Sequence, residues 1–176
     1  CEWLCPVLDG HAQLTSGGFA SSGSVVLHTP SVPLAPPPLE FNVSFDFLIG
    51  RSLPSEQRVF GGGGHLTFDF GELPRSVVGL SGAAHGFAVQ LLFTGSTPRL
   101  EGWLASVRLY EASLSSGLRA GAWVPCLVEV ADGTLSLTIG RLRLLDRLPL
   151  PEWDPKPSWR FAWSAASGRE RDAFLL

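Results

Sequence analysis

Phe41-Asn42-Val43-Ser44-Phe45-Asp46-Phe47 alternates apolar and polar residues without a break. A β-strand turns successive side chains to opposite faces, so Phe41, Val43, Phe45 and Phe47 go to a core and Asn42, Ser44 and Asp46 face outward. The same period of two recurs in Leu66, Phe68 and Phe70, and in Phe87, Val89, Leu91 and Phe93. No helical stripe competes with it. Further strands are predicted at 103–110, with Val107 and Leu109 on one side and Arg108 on the other. Others are predicted at 123–130, 134–139, 141–145 and 159–165. Residues 173–176 are expected to pair with an N-terminal strand near 24–28, and short helical turns are expected only near 111–118.

The joints between these segments carry turn chemistry. Asp132-Gly133 is a type I′ hairpin signal, because both central residues take positive φ. Gly140 marks a tight turn, Gly61–Gly64 a loop, and Pro36–Pro38 a stiff connector. Prolines 149, 151, 155 and 157 form another loop. Many short strands separated by such turns imply an all-β fold of two antiparallel sheets, a sandwich or jelly roll.

The totals narrow the function. Of 176 residues, 45% are hydrophobic and 16% charged, which suits one folded domain. The net charge is −3, and there is no basic stripe of the kind that neutralises phosphates, so no nucleic-acid partner is expected. No apolar run approaches the ~20 residues of a membrane-spanning helix, so no direct membrane insertion is expected. Both ends read as cuts through a longer, processed protein. Residues 1–10 are expected to be a linker or the edge of a preceding Cys-containing module, with the sandwich at 11–176.

Cys1, Cys5 and Cys126 are disulfide candidates whose pairing the sequence leaves open. Asn42-Val43-Ser44 is an N-glycosylation sequon on the outward face of its strand. His65 and His85 stand beside Gly-rich loops as candidate ligand-binding residues, and Trp153 in the Pro-rich loop is a third. Trp103, Trp123, Trp159 and Trp163 lie in strand-like runs and are read as packing residues. Asp69 and Glu72 are the nearest approach to a hydrolytic carboxylate pair. They read instead as a strand-end and a turn acid, so no catalytic residue is assigned.

Four segments, in order, resemble the concanavalin A-like superfamily, especially the L-type (legume-like) lectins. Gly63-Gly64-His65-Leu66-Thr67-Phe68 is similar to the family's Ala-Asp-Gly-Leu-x-Phe. Gly86-Phe87-Ala88-Val89-Gln90-Leu91-Leu92-Phe93 resembles its Gly-x-Ala-Val-Glu-Phe-Asp-Thr strand. Leu118–Val124 precedes a strand, a hairpin turn and another strand. Trp159-Arg160-Phe161 through Gly168 is similar to the closing Phe-Ser-Ala-x-Thr-Gly. The resemblance implies a concanavalin A-like sandwich and brings His65 and His85 near one end of it.

The family's site residues do not carry over. Its metal-binding Glu falls on Gln90, its Asp on Leu92, and its sugar-contacting Asp on Gly64. Calcium requires six to eight oxygen ligands, usually with ionised carboxylates. Gln90 offers one neutral carbonyl and Leu92 none, so no metal or other cofactor is expected. The Glu-x-Asp-x-x-Glu string of the superfamily's glucanases is absent too.

These residues predict a non-catalytic extracellular or cell-surface module of a larger glycoprotein. It would act in adhesion or assembly, with neighbouring domains or other extracellular proteins as partners. The alternative is a calcium-independent carbohydrate-binding module with glycan partners. A glycoside hydrolase comes third.

Overall fold

The computed structural model describes residues 7–8, 11–12, 14–15, 22–26, 39–51, 64–73, 85–93, 97–114, 122–167 and 172–175. All regular structure among them is strand. In chain order the strands are β1 (Val7–Leu8), β2 (His11–Ala12), β3 (Ser22–Val26), β4 (Phe41–Arg51), β5 (His65–Glu72), β6 (His85–Leu92) and β7 (Arg99–Leu104). There follow β8 (Val107–Ser113), β9 (Val124–Ala131), β10 (Thr134–Ile139), β11 (Leu142–Pro149), β12 (Arg160–Ala166) and β13 (Asp172–Leu175). They build a five-stranded sheet in the order β11-β10-β9-β4-β13 and a six-stranded sheet in the order β3-β12-β5-β6-β7-β8, both antiparallel. β1 and β2 pair antiparallel in a sheet of their own, one on each side of the boundary expected at residue 10.

The core sits between the two large sheets, and alternation built it. Phe70, Phe87 and Phe93 are fully buried, with Phe47, Val128, Leu135 and Leu137 from the facing sheet. The aromatics form one connected array. Phe70 meets Phe161 at 4.4 Å between ring centroids and Phe41 at 4.9 Å, while Phe45 meets Trp163 at 5.5 Å. Offset and edge-to-face pairs of this kind contribute about 0.5–1.5 kcal/mol each beyond the area they bury.

One close approach explains a glycine. Gly86 opens β6 with φ of 132°, and a Cβ there would lie 2.2 Å from the Phe70 carbonyl oxygen. β5 and β6 therefore come together at this point only because residue 86 has no side chain.

Three strand expectations are corrected. The strand predicted at 103–110 is a hairpin: β7 and β8 are joined at Ala105 and Ser106, both with positive φ (45° and 66°). That is the backbone of a type I′ turn, made here without the Asn or Gly that would signal it. The C-terminal strand pairs with β4 instead of the N-terminal strand, Phe174 lying opposite Ile49. β3 pairs with β12, Val25 opposite Trp163. The helical turns expected at 111–118 are strand as far as Ser113, and 115–118 lie outside the described residues.

Cys126 is also corrected as a disulfide candidate. It is a buried free thiol on β9, and burial pushes its pKa up to about 12 because the interior disfavours the thiolate. Cys1 and Cys5 lie outside the described residues.

Candidate functional site

The six-stranded sheet has a second face, turned away from the core, and polar residues cross it in rows. Register sets Ser24, Ser164, Thr67, Gln90, Glu101 and Glu111 side by side on β3, β12, β5, β6, β7 and β8. The next row runs Val26, Ala162, Asp69, Ala88, Trp103 and Arg108. The two halves of this face differ. Over β12 and β5 it is closed: Thr67, Asp69 and Ser164 are buried, and Leu73, Ala162 and Val26 pack together there. Among the described residues the Ser164 hydroxyl has no hydrogen-bond partner, although only 1% of the residue is exposed. Over β7 and β8 the face is open, with Trp103 half-buried and Arg108 and Glu111 exposed.

A β-bulge shapes the open half. Gly102 pairs with Tyr110 and Trp103 with Arg108, so one step along β7 corresponds to two along β8, and Leu109 is the extra residue. In an unbulged strand of the same sequence, Arg108 and Glu111, three residues apart, would point to opposite faces. With the bulge, both join Glu101 and Trp103. The indole Nε1 of Trp103 donates to Glu101 Oε2 at 3.1 Å. Arg108 reaches Glu111 Oε2 at 2.8 Å and Glu101 Oε1 at 3.3 Å, and its guanidinium lies 5.9 Å from the Trp103 ring centroid. Arg99 Nη1 donates to Glu111 Oε1 at 3.0 Å. Two carboxylates and two guanidiniums thus surround one indole with no net charge.

The residues singled out by sequence do not gather here. His65 and His85 open β5 and β6, and antiparallel pairing puts them at opposite ends: His65 faces Leu92 and His85 faces Glu72. Seven residues at about 3.3 Å each separate those ends by about 23 Å, so the expectation of one shared end is corrected. His65 is buried, at 6% exposure, not a loop residue.

Trp153 turns inward. Its ring lies 6.0 Å from Phe70, 5.8 Å from Phe87 and 5.7 Å from Trp159, and its Nε1 donates to the Leu39 carbonyl at 3.1 Å. Asn42 is exposed on the outer face of β4, as alternation requires, opposite Glu129. Asp69 and Glu72 are three residues apart on an unbulged strand and so lie on opposite faces.

Sequence reading misplaced two tryptophans: Trp123 is exposed, and Trp103 lines the open face, not the core. The signal for Trp103 was present in Leu100, Gly102 and Leu104, which put Arg99, Glu101 and Trp103 on the other parity.

The positions that carry a metal in lectins of this architecture do not fit one. Gln90 lies between Thr67 and Glu101, and Leu92 between His65 and the cationic Arg99. The side chains of an arginine and a leucine offer a cation no oxygen. Among the described residues no group of three or more His, Cys, Asp or Glu could hold a metal ion, and no helix is long and apolar enough to cross a membrane.

No family model matches the chain, and no curated protein matches its sequence. Solved structures do match its shape. The potassium-bound carbohydrate recognition domain of Emp46p superposes with a TM-score of 0.65 at 14% identity, over 97% of this chain and 81% of that one. The fold is that of the L-type lectins. The exoplasmic/lumenal domain of VIP36, bound to calcium and Man3GlcNAc, gives a TM-score of 0.63 at 17% identity over 94% of this chain and 74% of its own. Peanut lectin with a nine-residue peptide gives 0.63 at 19% identity, covering 97% and 84%. This L-type lectin-like sandwich therefore shares their architecture at 14–19% sequence identity.

Proposed function

We propose that this chain is a non-catalytic, lectin-like module that binds glycans without calcium. The observation that carries the reading is a lectin sandwich spanning 97% of the chain whose metal-ligand positions hold Gln90 and Leu92. Emp46p is a carbohydrate recognition domain, and VIP36 has been seen with an oligosaccharide bound. A glycan site that works with side chains alone needs aromatic faces and hydrogen-bonding groups, both of which the open half of the six-stranded sheet supplies.

The expectation of adhesion or assembly through protein contacts has less support. The large exposed hydrophobics among the described residues, Leu39, Val107, Trp123 and Leu142, sit on separate segments. A protein-binding patch would gather such residues. Catalysis is not favoured either: Asp69 and Glu72 do not share a face, and Glu101 and Glu111 are each engaged by guanidinium groups.

A secretory-pathway or extracellular location fits the lumenal neighbour. It also fits the sequon at exposed Asn42, which we propose carries a glycan. A glycan array probed with the protein, with and without EDTA, tests the function. Binding that EDTA leaves unchanged is expected. Binding abolished by EDTA, or binding to no glycan, refutes the reading.

A further inference from the structure

We propose that the open face of β7 and β8 is the sugar site: a neutral pyranose stacks on Trp103, and its hydroxyls bond to Arg108, Glu111 and Gln90. The proposal rests on the glycan-binding reading above and adds the place and the class of sugar. The place is centred away from the lectin metal position and shares with it only Gln90. Trp103 lies opposite Ala88, four residues along β6 from Leu92, or about 13 Å at 3.3 Å per residue.

The indole is prepared for stacking. Its edge is held by Glu101 and the Arg108 guanidinium lies over one face of the ring, so little rotamer freedom remains to be lost when a ligand arrives on the other face. Ala88 on the adjoining strand is small, which leaves room beside the ring on that side. Glu101, nearly buried, is a positioning residue. Arg108 and Glu111, with 46% and 36% of their side chains exposed, are the contact residues. A guanidinium presents parallel N–H donors and a carboxylate presents paired acceptors, the complement of adjacent ring hydroxyls. The zero net charge of the cluster selects a neutral sugar over a sulfated or carboxylated one.

The arrangement is also one that folding alone does not call for. Glu101 and Glu111 lie directly opposite each other, a like-charge pairing that destabilises a sheet. The exposed ion pairs of Glu111 with Arg99 and Arg108 return little of that cost. A tryptophan left half-open on the outer face gives up part of the stabilisation that burial would bring.

Isothermal titration and a glycan array, both in EDTA, with methyl hexopyranosides and neutral oligosaccharides as probes, test the site. Trp103→Ala and Arg108→Ala are each expected to weaken binding about tenfold or more, and Trp103→Tyr to keep it within about threefold. Trp153→Ala, measured where it is folded, leaves affinity unchanged. Wild-type binding that survives both Trp103→Ala and Arg108→Ala overturns the site and leaves the glycan-binding reading standing. Binding to none of the probes or array glycans overturns both. Preference for sulfated or sialylated glycans overturns the assignment of a neutral sugar.

Discussion

Replacing Trp153 by alanine separates a structural tryptophan from a ligand-binding one. The side chain covers the edge of the aromatic array, against Phe70, Phe87 and Trp159. Truncating a buried Trp costs about 3–5 kcal/mol. Trp153 is only half-buried, which lowers this to about 2–4 kcal/mol by proportion to area. The hydrogen bond to the Leu39 carbonyl is solvent-exposed and adds no more than the low end of about 0.5–1.5 kcal/mol. For a domain of this length each kcal/mol moves Tm by about 2–4 °C, so a fall of about 5–15 °C is expected. Trp153→Phe keeps most of the ring contact and is expected to lose less than half as much. Urea unfolding followed by circular dichroism gives both values. Unchanged stability in Trp153→Ala, with sugar binding lost, would refute the structural assignment and make Trp153 a contact residue.

Three further outcomes follow from the backbone and the core. Gly86→Ala forces a Cβ against the Phe70 carbonyl at a positive φ and is expected to destabilise by more than about 2 kcal/mol, read from the urea midpoint. Changing Ala105-Ser106 to Asn-Gly puts residues suited to positive φ into the β7–β8 turn, and a gain of about 1 kcal/mol is expected from the same measurement. The Cys126 thiol should resist a thiol reagent at pH 8 while the protein is folded and react once it is unfolded in urea. Its folded pKa of about 12 stands above the ordinary thiol value of 9.0, so the unfolded chain ionises first. Stability due to this group is intact below pH 9 and is lost as pH rises toward 12, and Cys126→Ser shows less of that alkaline loss.

The sandwich was legible because its core-facing residues repeat with the pleat: the alternation at 41–47, 66–70 and 87–93 survives unchanged in the structure. What was not legible depends on features without a local signature. The Ala105-Ser106 turn lacks the residues that announce positive φ, so two strands read as one. The bulge at Leu109 shifts the parity of β8, which no period of two can anticipate. Strand partners such as Phe174 with Ile49 are set by the closure of the whole sheet. The candidate site was missed for the same reasons, because it joins residues across a turn and a bulge that alternation alone does not see. Trp153 misled in the opposite direction: a Pro-rich loop suggests exposure, yet its largest residue folds back onto the core.

Leu109 makes the assembly of this face tolerant of one change in chain length. Deleting that single residue would leave Arg108 and Glu111 two positions apart, and simple alternation would then keep both on the side of Glu101 and Trp103. Related chains one residue shorter between Val107 and Glu111 would therefore present the same surface from a regular strand. Counting residues in that interval, before comparing their identities, sorts relatives that need a bulge to gather the four-residue charge cluster from those that do not.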